Sequence, residues 1–376
     1  MVASKVFFSC LPRSGLAAGA NNCSKSKTPL LKVSMPRITQ LVAPKKVEIK
    51  ERESLSAGPG EAVIQVQHAG ICGTDLALFH GDYPVPLPHV CGHEFMGRVT
   101  ETGEGVDPKW IGRTVTAEIN NTCLAYGKKS LCTACKKGVP SHCQIRTVTG
   151  IINHSGAFAE EVKVAAGTLH EIPSNVDPLI ATLTEPLAAA LQTFVMSPMQ
   201  KDETLVVIGP GRLGILIIFA ASLQGIRTIA VSRSETKRNR AIQFGAQHAF
   251  APENAIDEIY NMTEGLGAEM VVDTTGNPDG ITQALKLVRP QGTIACKTTC
   301  GLPATGLDMT QLVVNEIRLQ GSRCGPFEPA LEIIPSHQEK LKSLITSTRP
   351  LEEIQAALES ATNEDKVILD IRRKLY

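Results

Sequence analysis

Four cysteines stand close together in the chain: Cys123, Cys132, Cys135 and Cys143, in the pattern C-x8-C-x2-C-x7-C. Thiolates at such spacing can converge on one ion from a single loop, and a tetrahedral zinc site of four sulfurs needs nothing more. The Cys132/Cys135 pair is the most specific part of the pattern. A disulfide reading competes, because eleven cysteines in 376 residues would suit a secreted, cross-linked chain with one thiol left over. A reducing compartment favours the metal. A second set offers mixed chemistry: Cys72-Gly73-Thr74-Asp75, then Gly92-His93-Glu94. A thiol, an imidazole and carboxylates suit a catalytic zinc with one position open to water or substrate. A lone cysteine or histidine is more often an ordinary packed residue, and spacing alone does not bring Cys72 to His93.

Gly209-Pro210-Gly211-Arg212-Leu213-Gly214 fits G-x-G-x-x-G. Alone the hexapeptide is a weak signal. Here the apolar run Thr204–Ile208 precedes it and the helical run Leu213–Leu223 follows, the context that gives it value. The first glycine allows a tight turn, the second lets backbone approach a pyrophosphate, and the third lets helix pack on strand. The helix N-terminus adds unpaired N–H groups and a positive dipole end. Cofactor choice turns on the end of the next strand, where an NAD site places Asp or Glu for the ribose 2′-OH. This chain has Ser232 and Arg233 there, 18 residues past Gly214, then Glu235, Lys237 and Arg238. A hydroxyl beside a guanidinium suits a 2′-phosphate, so NADP(H) is preferred over NAD(H). Two alternatives stay open: Arg233 and Arg238 as solvated charges at a helix start, and Glu235 facing the ribose.

These residues need elements to hold them. From about Val42 to Ala165 the chain is rich in Gly, Pro and short β-type runs such as Ala62–Gln67, Gly97–Thr100 and Arg113–Glu118. From about Pro198 the texture changes. Strand candidates at Thr204–Ile208, Thr228–Val231, Met270–Asp273, Thr293–Lys297 and Ile317–Gly321 mostly alternate with helix-length segments, which predicts an α/β fold with a doubly wound parallel sheet. Pro350–Ala361 reads as a helix and Lys366–Ile371 as a final strand. With 43% hydrophobic and 20% charged residues the chain can build a sizeable core. A net charge of +1 gives no reason to expect nucleic acid or an anionic membrane surface as partner. The longest apolar run, Leu213–Leu223, falls short of the about 20 residues a bilayer needs. The first 47 residues hold no Asp or Glu, eight Lys/Arg and six Ser, with no continuous apolar core. That reads as a transit peptide or disordered leader over residues 1–35, plastid favoured, mitochondrion or cytoplasm as alternatives. Cys10 and Cys23 lie in it.

Taken in chain order, Gly70-Ile71-Cys72-Gly73-Thr74-Asp75, Gly92-His93-Glu94, the four-cysteine lobe, Gly156-Ala157-Phe158-Ala159-Glu160, Glu185-Pro186-Leu187 and the glycine-rich turn form a series. The series resembles the zinc-dependent medium-chain dehydrogenase/reductase (alcohol dehydrogenase) superfamily, nearest its polyol, threonine and butanediol dehydrogenase branch. The resemblance implies a GroES-like β-rich catalytic domain over 36–190 carrying two zinc ions, a Rossmann domain over 191–324, and a return to the catalytic domain over 325–376. It implies that Cys72 and His93 bind the catalytic zinc, with Glu94 a ligand or an exchanging one and Glu185 a further candidate. Cys123, Cys132, Cys135 and Cys143 would hold the structural zinc. Asp75 would orient His93. Gly209, Gly211, Leu213, Gly214, Ser232, Arg233 and Lys237 would contact the cofactor. The implied activity is reversible hydride transfer between a secondary alcohol, polyol or hydroxy acid and NADP+ (or NAD+). Zinc would lower the alcohol's pKa and Thr74 would receive its proton. Relatives are dimers or tetramers, so a homodimer or homotetramer is expected.

The chain also departs from the pattern. Relatives run C-x2-C-x2-C-x7-C, which would put Lys129 in the first position; the repair keeps Cys123 as ligand and lengthens the loop after it. Ala77 lies in the region where relatives place a relay histidine, although His80 is near. Arg323 could meet the cofactor or lie on the surface. Two rivals stand beside the dehydrogenase: a zinc-free quinone or enoyl reductase of the same fold, and a non-catalytic NADP-binding redox sensor.

Overall fold

The computed structural model describes residues 35–298, 304 and 307–373. The leader reading, save for Met35, and Cys300 fall outside the described residues. Two large sheets organise the chain. The first runs Ile345–Pro350, Lys366–Asp370, Glu61–Gly70, Glu94–Thr102, Thr114–Ala117, Leu169–Glu171, with Glu161–Ala165 also paired to Glu61–Gly70. All its pairings are antiparallel except that of Ile345–Pro350 with Lys366–Asp370. Glu61–Gly70 is its hub, and its burial on both faces matches its apolar sequence EAVIQVQHAG. The register matters most at its end: Gly70 pairs with Glu94 on one side and with Ile368 on the other. Cys72, His93 and the start of the last strand are thereby drawn to one corner from segments far apart in sequence.

The second sheet has six parallel strands, β1 (Thr204–Ile208), β2 (Arg227–Val231), β3 (His248–Phe250), β4 (Ala268–Asp273), β5 (Val288–Cys296) and β6 (Arg318–Gly321). Their order in space is 3-2-1-4-5-6, the doubly wound arrangement the alternating pattern predicts. β1 and β4 are wholly or almost wholly buried, so they read as continuous apolar runs. The helix Arg212–Leu223 packs its Ile215–Ala221 stretch into the core beneath them. Among the described residues no helix is long and apolar enough to cross a membrane.

One predicted element is corrected. Residues 345–350 form a strand ending at Pro350, a short 3-10 turn spans Leu351–Glu353, and the helix covers only Ile354–Ala361. Pro350 has extended backbone, φ −66° and ψ 156°. It lacks an N–H to donate, which an edge strand tolerates. The three-residue strand β3 is too short to leave a periodic signal.

Candidate active site

Asp75 ties the corner together. Its side chain is wholly buried and accepts the Cys72 N–H at 2.9 Å and the Gly92 N–H at 3.0 Å. One carboxylate thus fixes the start of the helix Gly73–His80 to the turn that carries His93. Its Oδ1 lies 3.5 Å from His93 Nδ1. With Nδ1 turned to Asp75, Nε2 is the nitrogen available to an ion. Gly92 has φ +96°, and a Cβ there would meet the Phe158 ring at 2.4 Å. A Cβ on Gly156 would meet the Cys91 carbonyl at 2.2 Å. Only glycine permits this approach, which explains why Gly156-Ala157-Phe158 accompanies Gly92-His93-Glu94.

Donor atoms of Cys72, His93 and Glu94 all lie within 4.8 Å of one another. Burial, followed by Glu94, pushes the Cys72 thiol pKa up. Burial opposes charge on His93, but Asp75 and Cys72 outweigh it and raise its pKa well above the usual value. A divalent cation reverses both directions, because it stabilises thiolate and neutral imidazole together. The donor set therefore fits zinc. Glu94 has a second claimant: the buried amine of Lys366 forms an ion pair with Glu94 Oε2. Gly70 leaves the room, since a Cβ there would stand 2.6 Å from that same oxygen. Glu185 lies outside the close group. It is buried at the start of the helix Thr184–Met196, and burial raises its pKa to about 7 against the pull of His93. Thr74 is half-buried beside Cys72. His80 donates from Nδ1 to the Leu76 carbonyl at 2.8 Å, which ties it to its own helix.

The donor atoms of Cys123, Cys132, Cys135 and Cys143 likewise lie within 4.8 Å of one another. Cys123 joins the other three despite the longer loop. Cys132 and Cys143 Sγ are 3.6 Å apart, and all four cysteines are free thiols. Backbone N–H groups of Cys135 and Gln144 hold the Cys132 thiol down, at about 6. Four convergent sulfurs without a bond between them fit a tetrahedral thiolate site.

The glycine-rich turn leaves β1 with Gly209 at φ +80°. A Cβ on Gly214 would lie 2.6 Å from the Gly209 carbonyl, so helix and strand need glycine there. A Cβ on Gly211 would meet nothing nearer than 3.9 Å. That open space above an uncapped helix N-terminus is the cradle a pyrophosphate fills. Leu213 is half-buried on the helix. Ser232 is half-buried, while Arg233 and Lys237 are exposed. Arg238 donates to the carbonyls of Ser232 at 2.7 Å and Arg233 at 3.0 Å, so it braces the turn. Arg212, within the motif, donates to the carbonyls of Ala361 and Glu364 and sits within electrostatic reach of Cys72, Glu94 and Asp75. The glycine-rich turn and the thiol–imidazole group are therefore neighbours.

The alcohol dehydrogenase GroES-like domain matches residues 58–174, and the zinc-binding dehydrogenase domain matches residues 213–336. A sorbitol dehydrogenase of Halalkalibacterium halodurans is 30% identical over 306 residues, covering 79% of this chain and 87% of its own. The chain belongs to the zinc-dependent alcohol dehydrogenase family. An L-threonine 3-dehydrogenase of Pyrococcus furiosus is 33% identical over 255 residues, with 66% of this chain and 71% of that protein covered. Among solved structures, a zinc-binding dehydrogenase from Sinorhizobium meliloti 1021 bound to NADP aligns with a TM-score of 0.79 at 27% identity, covering 90% of this chain and 100% of that one. As a member of this family the chain is a two-domain α/β oxidoreductase that uses zinc and a nicotinamide cofactor on alcohols.

Several residues of this dehydrogenase escape sequence reasoning. Lys366 opens the strand KVILD, just before its apolar run, and its partner Glu94 stands 272 positions away. Asn120 donates to Cys324 Sγ at 3.1 Å. Lys297 follows β5 and is buried. A lysine placed at the end of an apolar run is the only signal Lys297 and Lys366 leave. Arg323 reaches towards the Ser141 carbonyl at 3.5 Å, on the cysteine lobe.

Proposed function

We propose that this dehydrogenase interconverts a secondary alcohol, polyol or hydroxy acid with its carbonyl form, prefers NADP(H), and carries two zinc ions per chain. The carrying observation is the Cys72–His93–Glu94 group, its imidazole and carboxylate buried, held by Asp75 and set beside the glycine-rich turn. Zinc, when bound, supplies the positive charge that lowers the alcohol's pKa, and the nicotinamide supplies the hydride acceptor. The chain does the rest. Asp75 orients His93. Thr74, next but one to Cys72, takes up the hydroxyl proton. Lys366 holds Glu94, and Glu185 stands buried at the start of its helix as a further candidate ligand. The substrate class rests on relatives that act on sorbitol and threonine.

The NADP preference rests on Ser232 and Arg233 after β2 and on the relative bound to NADP. In a screen of alcohols on zinc-loaded enzyme, kcat/KM with NADP+ exceeds that with NAD+ by about tenfold or more, as charge-assisted contacts to a 2′-phosphate require. Ser232→Asp reverses the order. Equal use of both cofactors by the unmodified chain removes the reading.

We also read the protomer as part of a homodimer or homotetramer joined at β6. That edge strand leaves Leu319 exposed, and the helix Met309–Val314 exposes Val313 by 65% and Val314 by 72%. An open apolar edge is a template for a second copy. Light scattering on the purified protein gives two or four times the protomer mass; a monomer counts against this edge as an interface.

A further inference from the structure

Lys297 directly follows Cys296, the last residue of β5, and Ser322 directly follows Gly321, the last of β6. The strand order reverses between β1 and β4, and a dinucleotide crosses a doubly wound sheet at that reversal, on the carboxyl ends of the strands. The glycine-rich turn after β1 takes the phosphates, and the end of β2 takes the adenosine. The nicotinamide half falls to the β4, β5 and β6 side, where Lys297 stands. Its amine donates to Ser322 Oγ at 2.8 Å and to the Arg323 carbonyl at 2.6 Å, so the side chain bridges the carboxyl ends of β5 and β6. Two bonds leave one of its three N–H groups uncommitted. Lys297 is 8% exposed and makes no ion pair among the described residues. Burial lowers its pKa to about 8, while Cys324 and Glu185 pull the other way and favour the ammonium form.

We propose that Lys297 sets the redox preference of the bound nicotinamide: its anchored, buried ammonium disfavours the cationic oxidised ring and favours the neutral reduced one. Hydride transfer adds a proton's mass and two electrons to the ring and takes its charge from +1 to zero; the alcohol loses that hydride and its hydroxyl proton. A fixed positive charge on the nicotinamide side therefore raises the free energy of one cofactor form and leaves the other nearly untouched. Burial keeps solvent from screening the effect. A chain built this way captures reduced cofactor from a mixed pool, which suits carbonyl reduction. The proposal rests on nicotinamide binding by this family and on no particular substrate.

The test is equilibrium binding, without turnover. Dissociation constants for NADP+ and NADPH are measured at pH 7.0 by calorimetry and cofactor fluorescence on the full chain. Lys297→Gln keeps hydrogen-bond donors and drops the charge, Lys297→Met drops both, and Lys297→Arg keeps the charge. The ratio of the NADP+ constant to the NADPH constant falls about tenfold in the Gln and Met variants and stays within about twofold of the unmodified value in the Arg variant. Either uncharged variant suffices if the other fails to fold. A ratio unchanged in the uncharged variants, with both forms weakened alike, assigns Lys297 a structural role and overturns the proposal. Failure of the unmodified chain to bind either form overturns instead the cofactor reading beneath it.

Discussion

His93→Ala lowers kcat/KM by at least about 1,000-fold, because the metal's electrostatic contribution to the transition state is worth several kcal/mol and each 1.36 kcal/mol is tenfold in rate. Zinc content drops by about one ion per chain, since a thiol and a carboxylate already paired with Lys366 make a poor site alone. The fold survives. Asp75 keeps its bonds from the Cys72 and Gly92 amides, so no buried carboxylate is stranded. The glycine-rich turn is untouched, and NADPH binds as before. Metal analysis, steady-state kinetics and a cofactor titration on one preparation check all three. Near-normal turnover, or zinc content equal to that of the unmodified chain, sinks the assignment of this group as the reaction centre.

The motif-bearing parts of the site were legible because each has a backbone reason visible in sequence. Gly209 needs its left-handed φ, Gly214 its close approach to β1, and the cysteines their spacing. The doubly wound sheet was legible because fully buried parallel strands leave unbroken apolar runs. What stayed hidden is what depends on distant pairing. Nothing local places Lys366 against Glu94 or Lys297 across the end of β6; both follow from which strand lies beside which. Pro350 misled for a related reason. A proline before an apolar, glutamate-rich stretch looks like the first turn of a helix, and only the edge position of Ile345–Pro350 makes it a strand end.

The buried pair Glu94–Lys366 also changes what the carboxyl-terminal segment does. Breaking such a pair from one side leaves an uncompensated charge in the interior, at a cost of about 3–5 kcal/mol. The last strand is thus more than sheet filler. Through Lys366 it holds the carboxylate next to His93, and the helix end and turn just before it, through the Ala361 and Glu364 carbonyls, receive Arg212 from the glycine-rich turn. Residues 361–366 thus contact both the Cys72–His93–Glu94 group and the first residue of the helix after the glycine-rich turn.

Cys135→Ser separates structure from chemistry in the opposite sense to His93→Ala. The lobe from Cys123 to Cys143 contains only a four-residue helix, Thr133–Lys136, and a 3-10 turn, Pro140–His142. Its buried apolar contacts amount to the cysteines themselves with Leu131 and Cys132 packed alongside. So little burial cannot offset about 1–2 kcal/mol of backbone entropy per ordered residue, and a metal bound by the thiolates would supply the difference. Removing one thiolate therefore releases about one zinc per chain and lowers the apparent Tm by on the order of 10 °C, a drop of several kcal/mol in a domain of this size. Turnover at 25 °C persists, because Cys72, His93 and the glycine-rich turn keep their own supports. Cys123→Ser decides the departure in spacing: it behaves like Cys135→Ser when the longer loop still delivers the fourth sulfur. Retention of the ion and of the melting temperature in Cys123→Ser, with loss of both in Cys135→Ser, would leave a three-sulfur site and refute the four-thiolate assignment.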